Sequence, residues 1–169
     1  RTLIRATALK GIPPDECLTY VNSLLCKESV SSMFVTVFYG ILNYKTGELH
    51  YTNGGHNPPY VLSDKGELQT IDLTGGVALG IVEGLEFKSN KIMLNPGDTV
   101  FTFSDGVTEA MDKDFELYDE ARLEAFLKER HNLELSELVN ESFTDVHAYA
   151  NGADQSDDIT VLAIKYYRK

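Results

Sequence analysis

Two five-residue turns, YKTGE at 44–48 and SDKGE at 63–67, each separate runs rich in apolar, β-branched and aromatic residues. Turns that short fold a chain straight back on itself, so the middle of the sequence is committed to antiparallel pairing. The block opens with MFVTVFYGILN at 33–43, whose composition suits a sheet interior. LEFKSNKIML, the turn NPGD and the apolar strand TVFTF at 99–103 read as a continuation of the same meander.

Helices flank this block. TLIRATALK at 2–10 is helix-forming and stops at Gly11, and a second helix follows GIPPDE, with Leu18, Val21, Leu24 and Leu25 at helical spacing. Helical periodicity returns at about 119–130 with Leu123, Phe126 and Leu127 on one face. A further run, LSELVNESFTDVHAYA, points Leu135, Leu138, Phe143 and Val146 inward, and ITVLAIKYY at 159–167 alternates like a strand. Helices, antiparallel strands, helices and a closing strand define an α+β layered sandwich. With 169 residues, 43% of them hydrophobic, residues 1–169 read as a single domain with a substantial core.

Charge narrows the partners. A net charge of -11 repels the phosphates of nucleic acid and of anionic membranes, which excludes both as partners, yet it suits cations. Cys17 and Cys26 share one helical segment and form no disulfide or zinc pattern, so both read as reduced thiols of a cytoplasmic protein. No apolar run reaches the length of a membrane span.

Three stretches carry unusual chemistry. YTNGGHNPPY at 51–60 concentrates Gly, Asn and Pro, the residues of a shaped loop. FTFSDGVTEA at 101–110 puts Ser104, Asp105 and Gly106 directly after a hydrophobic strand, which is either a turn with a helix cap or a rigid mount for a cation. DQSDDITVLAIKYY at 154–167 gathers Asp154, Asp157 and Asp158, either a solvated loop guarding a strand edge or oxygen ligands for Mg2+ or Mn2+. An Asp at the end of one strand and an Asp pair at the start of another meet if those strands are antiparallel neighbours. TGGVALG at 74–80 lacks the Lys and helix start of a phosphate loop.

In this order and spacing, MFVTVFYGILNYKTGELHYTNGGHNPPYVL, LNPGDTVFTFSDGVTEAMD and SDDITVLAIKY resemble the SpoIIE/RsbU-type bacterial serine/threonine phosphatases of the metal-dependent PPM superfamily, the type 2C protein phosphatases. The resemblance implies a four-layer αββα sandwich with a binuclear Mn2+ or Mg2+ centre, where metal-bound water attacks phosphoserine or phosphothreonine. It assigns Asp105 and Asp157 as catalytic metal ligands and counts Gly106 and Asp158, a neighbouring candidate ligand, in the same metal site. His56 and Asn57 fall on the expected site rim. His56 either orients a water or phosphate or fixes its loop, Glu109 is a metal-site neighbour or a helix N-terminal charge, and His50, His131 and His147 read as ordinary packing or surface residues.

The family also carries a GD strand motif and a D-x-x-G-H-G motif ahead of the helix that RTLIRATALK resembles, and neither occurs here. The expectation is therefore the C-terminal greater part of one phosphatase domain, weakly active or inactive by itself. The resemblance implies a phosphorylated protein substrate, a STAS-type anti-sigma factor antagonist, together with an N-terminal sensor or receiver domain in the parent and a homodimer as one assembly. The alternatives are a pseudophosphatase that binds the same partner without hydrolysis and an acidic scaffold without metal chemistry.

Overall fold

A computed structural model describes residues 1–28 and 34–168. Along the chain run α1 (Thr2–Ala8), α2 (Pro14–Glu28), β1 (Val37–Leu42), β2 (Glu48–Gly54), β3 (Tyr60–Leu62), β4 (Leu68–Thr70), β5 (Asn90–Met93), β6 (Thr99–Phe103), α3 (Asp105–Thr108), α4 (Asp119–Glu129), α5 (Leu135–Ala150) and β7 (Val161–Lys165). They divide into two compact units, one built mainly from Arg1–Pro58 and Asp72–Leu94, the other from Pro59–Ile71 and Asn95–Tyr167.

The first unit is a three-stranded antiparallel sheet, β1-β2-β5, with the N-terminal helices packed on it. Asn43 starts the YKTGE turn: its side-chain oxygen accepts the amides of Lys45 and Thr46 while Gly47 takes φ +84°, which fixes Leu42 opposite Leu49. Leu18 and Val21 of α2 are buried with Leu79 and Phe87, against Val37 and Tyr39 of β1. Met33, the expected first residue of β1, lies outside the described residues; the regular strand begins at Val37, preceded by an isolated bridge between Val35 and Leu79. Burial pushes the Cys17 thiol pKa up, and both cysteines are free thiols.

The second unit is a four-stranded antiparallel sheet in the order β4-β3-β6-β7. Its core joins Tyr60, Phe101 and Phe103 of the sheet to Leu123 and Leu127 of α4 and Leu138 of α5. The inward stripe of α5 is Leu138, Ser142 and Val146, so Leu135 and Phe143, expected inside, are half-buried. Four-residue spacing won over the mixed spacing read from the apolar residues, and Ser142 is tolerated because its hydroxyl donates back to the Val139 carbonyl.

The expected continuation of the meander through NPGD is corrected by the pairing. β5 bonds to β2, whereas β6 lies between β3 and β7, so NPGD links two different sheets. The reason is where its backbone groups go. The Gly97 amide donates to the Tyr166 carbonyl and the Tyr166 amide to the Asp98 carbonyl, both at 2.8 Å, so the turn is tied to the end of β7. The Asp98 carboxylate accepts the Asn95 amide at 2.7 Å and holds the bend closed.

Candidate metal site at the end of strands β6 and β7

The strand-end geometry begins with register. β6 and β7 are antiparallel neighbours and their last regular pair is Phe103 opposite Val161. Asp105 therefore leaves one strand where Asp157 and Asp158 approach the other. One step beyond the ladder, the Ser104 amide donates to the Thr160 carbonyl at 2.9 Å, but the Thr160 amide donates to the Ser104 hydroxyl at 2.8 Å. The Ser104 carbonyl is thereby released to accept the Val107 amide at 3.1 Å and start α3.

Gly106 seats the acidic loop. A Cβ at this position would stand 2.6 Å from the Asp158 carbonyl oxygen and 3.0 Å from that of Asp157, so only a residue without a side chain allows the contact. Three more bonds fix the loop: the Ser104 hydroxyl donates to the Asp158 carbonyl at 2.8 Å, the Gln155 side-chain Nε2 to the Asp157 carbonyl at 2.7 Å, and the Ser156 hydroxyl to the Glu109 carbonyl at 3.0 Å. The carboxylates themselves stay outward. Asp105, Asp157 and Asp158 are exposed; one oxygen of Asp105 accepts the Gly106 amide, and one of Asp157 accepts the Asp158 amide. Asp154 lies exposed at the start of the same loop.

Asp105, Gly106, Asp157 and Asp158 thus come together in the second unit. Among the described residues, no group of three or more His, Cys, Asp or Glu side chains is arranged to hold a metal ion. Glu109 is not at a helix N-terminus but caps the C-terminal end of α3, exposed.

His56 and Asn57 belong to the first unit and are half-buried in the loop after β2. The His56 amide donates to the Asn53 side chain at 2.8 Å, and that side chain donates back to the His56 carbonyl at 2.8 Å. The His56 ring also lies 3.4 Å from the Thr36 hydroxyl. The Gly content of this loop has a packing cause. TGGVALG runs against it, Thr74 bonding the Asn53 amide, and a Cβ on Gly55 would stand 2.5 Å from the Ala78 nitrogen.

Sequence reasoning missed Ser104 and Asn53. Ser104 reads as a helix cap, yet its side chain makes no capping bond to α3 and turns instead to Asp158 and Thr160 in the segment leading into β7. Asn53 sits inside a strand-like run, and only its place three residues before His56 hints at the reciprocal bond.

The SiaA-PP2C domain of Pseudomonas aeruginosa superposes with a TM-score of 0.82 at 19% identity, over 98% of this chain and 68% of that one, which makes the fold that of the type 2C phosphatase domains, antiparallel sheets with flanking helices. The family model of Stage II sporulation protein E (SpoIIE) matches residues 1–167, and the chain belongs to that family. Among curated relatives, Protein IcfG of Synechocystis sp. is 29% identical over 133 residues, 79% of this chain and 21% of that protein. Phosphoserine phosphatase RsbU of Bacillus subtilis is 35% identical over 100 residues, 59% of this chain and 30% of that protein. The chain therefore spans less than a third of the length of either relative. No helix among the described residues is long and apolar enough to cross a membrane.

Proposed function

We propose that residues 1–169 are the greater C-terminal part of one phosphatase domain in a bacterial signalling protein, and that this domain removes phosphate from phosphoserine or phosphothreonine on a partner protein. The observation that carries the reading is the seating of the Asp157–Asp158 backbone on Gly106, which sets two acidic segments side by side in a SpoIIE-family chain. The naming of the relative RsbU as a phosphoserine phosphatase supports the substrate class. A STAS-type anti-sigma factor antagonist is the substrate we favour, in the cytoplasm, with a sensor or receiver domain as the controlling element.

The donor set fits Mn2+ or Mg2+ in kind. Hard cations take oxygen ligands, and Mg2+ is commonly held by one or two carboxylates while keeping several waters. Asp105 and Asp157 would hold the ion, with Asp158 adjacent and Gly106 permitting the approach. When bound, such a cation supplies positive charge against the phosphoryl oxygens and makes water more acidic. The chain's own residues seat the Asp157–Asp158 backbone on Gly106 and leave the Asp105 and Asp157 side chains exposed, so that a phosphate carried on another protein can reach them. Two clustered segments are sparse ligation for a binuclear centre, so residues 1–169 alone bind metal weakly and turn over slowly.

That sparseness also favours a second reading, a non-catalytic module that binds the partner without hydrolysis. Hydrolysis of p-nitrophenyl phosphate with Mn2+, by residues 1–169 and by the natural full-length protein, separates the two. The phosphatase reading expects metal-dependent turnover by the full-length protein and far slower turnover by residues 1–169. No turnover by either points to the binding module, and equal rates overturn the weak-fragment expectation.

A further inference from the structure

We infer that Ser104 is a positioning residue for the metal-binding carboxylates, acting through its hydroxyl on the backbone of the Asp157–Thr160 segment; this rests on the metal-site reading above. The hydroxyl does two jobs. It accepts the Thr160 amide at 2.8 Å, standing in for the carbonyl that an antiparallel ladder would offer there, and it donates to the Asp158 carbonyl at 2.8 Å. The carbonyl it replaces is occupied with the first turn of α3, the helix on which Asp105 sits. One side chain therefore joins the end of β6, the start of α3 and the acidic loop.

Alternatives to this role fit less well. A capping serine turns its oxygen to the amides two or three residues ahead, and Ser104 makes no such bond. A serine kept for packing would not need both a donor and an acceptor partner on one strand partner segment. Because the Asp158 carbonyl that Ser104 bonds is also the group a Cβ on Gly106 would meet first, loss of the hydroxyl frees the loop where Gly106 seats it. The carboxylates of Asp157 and Asp158 then lose their fixed relation to Asp105.

The test uses the natural full-length protein and Mn2+ alone, with free ion followed by electron paramagnetic resonance. Ser104→Ala is expected to weaken Mn2+ binding by at least about 10-fold, as loss of a group that orients a ligand does, while Ser104→Thr stays within about twofold. Thr and Val variants match in shape and differ in the hydroxyl, so they repeat the comparison without the void that Ala leaves. In the metal-free protein the Thr160 amide exchanges faster in the Ala and Val variants than in wild type. A purely structural role would lower the melting temperature of Ser104→Ala but leave its Mn2+ affinity unchanged, and that result overturns the inference. Ser104→Thr binding as weakly as Ser104→Ala overturns it as well. Wild-type protein that takes up no Mn2+ overturns the metal reading and this inference with it, whereas wild-type uptake with an unaltered Ala variant overturns only the inference.

Discussion

Gly106→Ala isolates the contact on which the candidate site depends. The added Cβ would stand 2.6 Å from the Asp158 oxygen, 2.9 Å from the Asp158 carbonyl carbon and 3.0 Å from the Asp157 oxygen. All three are backbone atoms, so no side chain can swing aside. Comfortable carbon contacts begin at about 3.5 Å, and the loop must retreat by roughly 0.9 Å to restore them. Gly106 does not hold a left-handed conformation, so Ala meets no backbone strain and gains at most about 1 kcal/mol of helix propensity. Overpacking against fixed atoms costs about 1–3 kcal/mol, which wins. The expected result is a urea midpoint lowered with an unchanged m-value, a net loss of up to about 2 kcal/mol once the full propensity gain is subtracted, together with Mn2+ affinity weakened by at least about 10-fold in the full-length protein. An Ala variant as stable as wild type, with equal Mn2+ affinity, would refute the seating of the acidic loop on Gly106.

Other perturbations probe the two units separately. Phe115 is 81% exposed and sits at φ 64°, so Phe115→Gly should hold or raise the melting temperature, by up to about 1 kcal/mol of stability, whereas a clear loss would mean that the ring packs against something. Gly76→Ala drives a Cβ into the Asn53 carbonyl oxygen and the Phe87 ring; a destabilisation of about 1–3 kcal/mol by urea unfolding is expected, and none would contradict the close approach of the two Gly-rich segments. Burial, reinforced by Glu124 and Glu120, pushes the Tyr60 pKa up to about 12 from its ordinary 10.0. Folding thus favours the neutral phenol. Its contribution is fully present below pH 10 and is lost as pH rises through about 12, so the urea midpoint should fall between about pH 9 and about pH 11 less in Tyr60→Phe than in wild type.

The local signals were the legible ones. YKTGE, with Asn43 just before it, and SDKGE close hairpins where their Gly and the Asn43 or Ser63 side chain dictate, because a turn is decided by residues in and immediately beside it. The strand-end meeting of Asp105 with Asp157 and Asp158 was legible as a condition, that two strands be neighbours, and the pairing of β6 with β7 meets it. NPGD misled because its Gly97 and Asp98 bond Tyr166, far along the chain, which no local reading of a turn contains. Ser104 was hidden for a related reason. Serine suits a helix cap and a strand partner alike, and only the position of Thr160 shows which of the two its hydroxyl serves. The Gly residues of YTNGG and TGGVALG explain one another only once the segments lie together.

The central claim, that Asp105 and Asp157 form a metal-dependent phosphatase site, is tested most directly by phosphate release from a phosphoserine peptide. The full-length protein is assayed with Mn2+, with EDTA, and as Asp105→Asn with Mn2+. Both carboxylates are exposed, so the substitution should leave the melting temperature of the metal-free protein close to wild type. The account predicts release that requires Mn2+ and falls by at least about 100-fold in Asp105→Asn. Release that persists in EDTA, or that Asp105→Asn sustains at the wild-type rate, would contradict it.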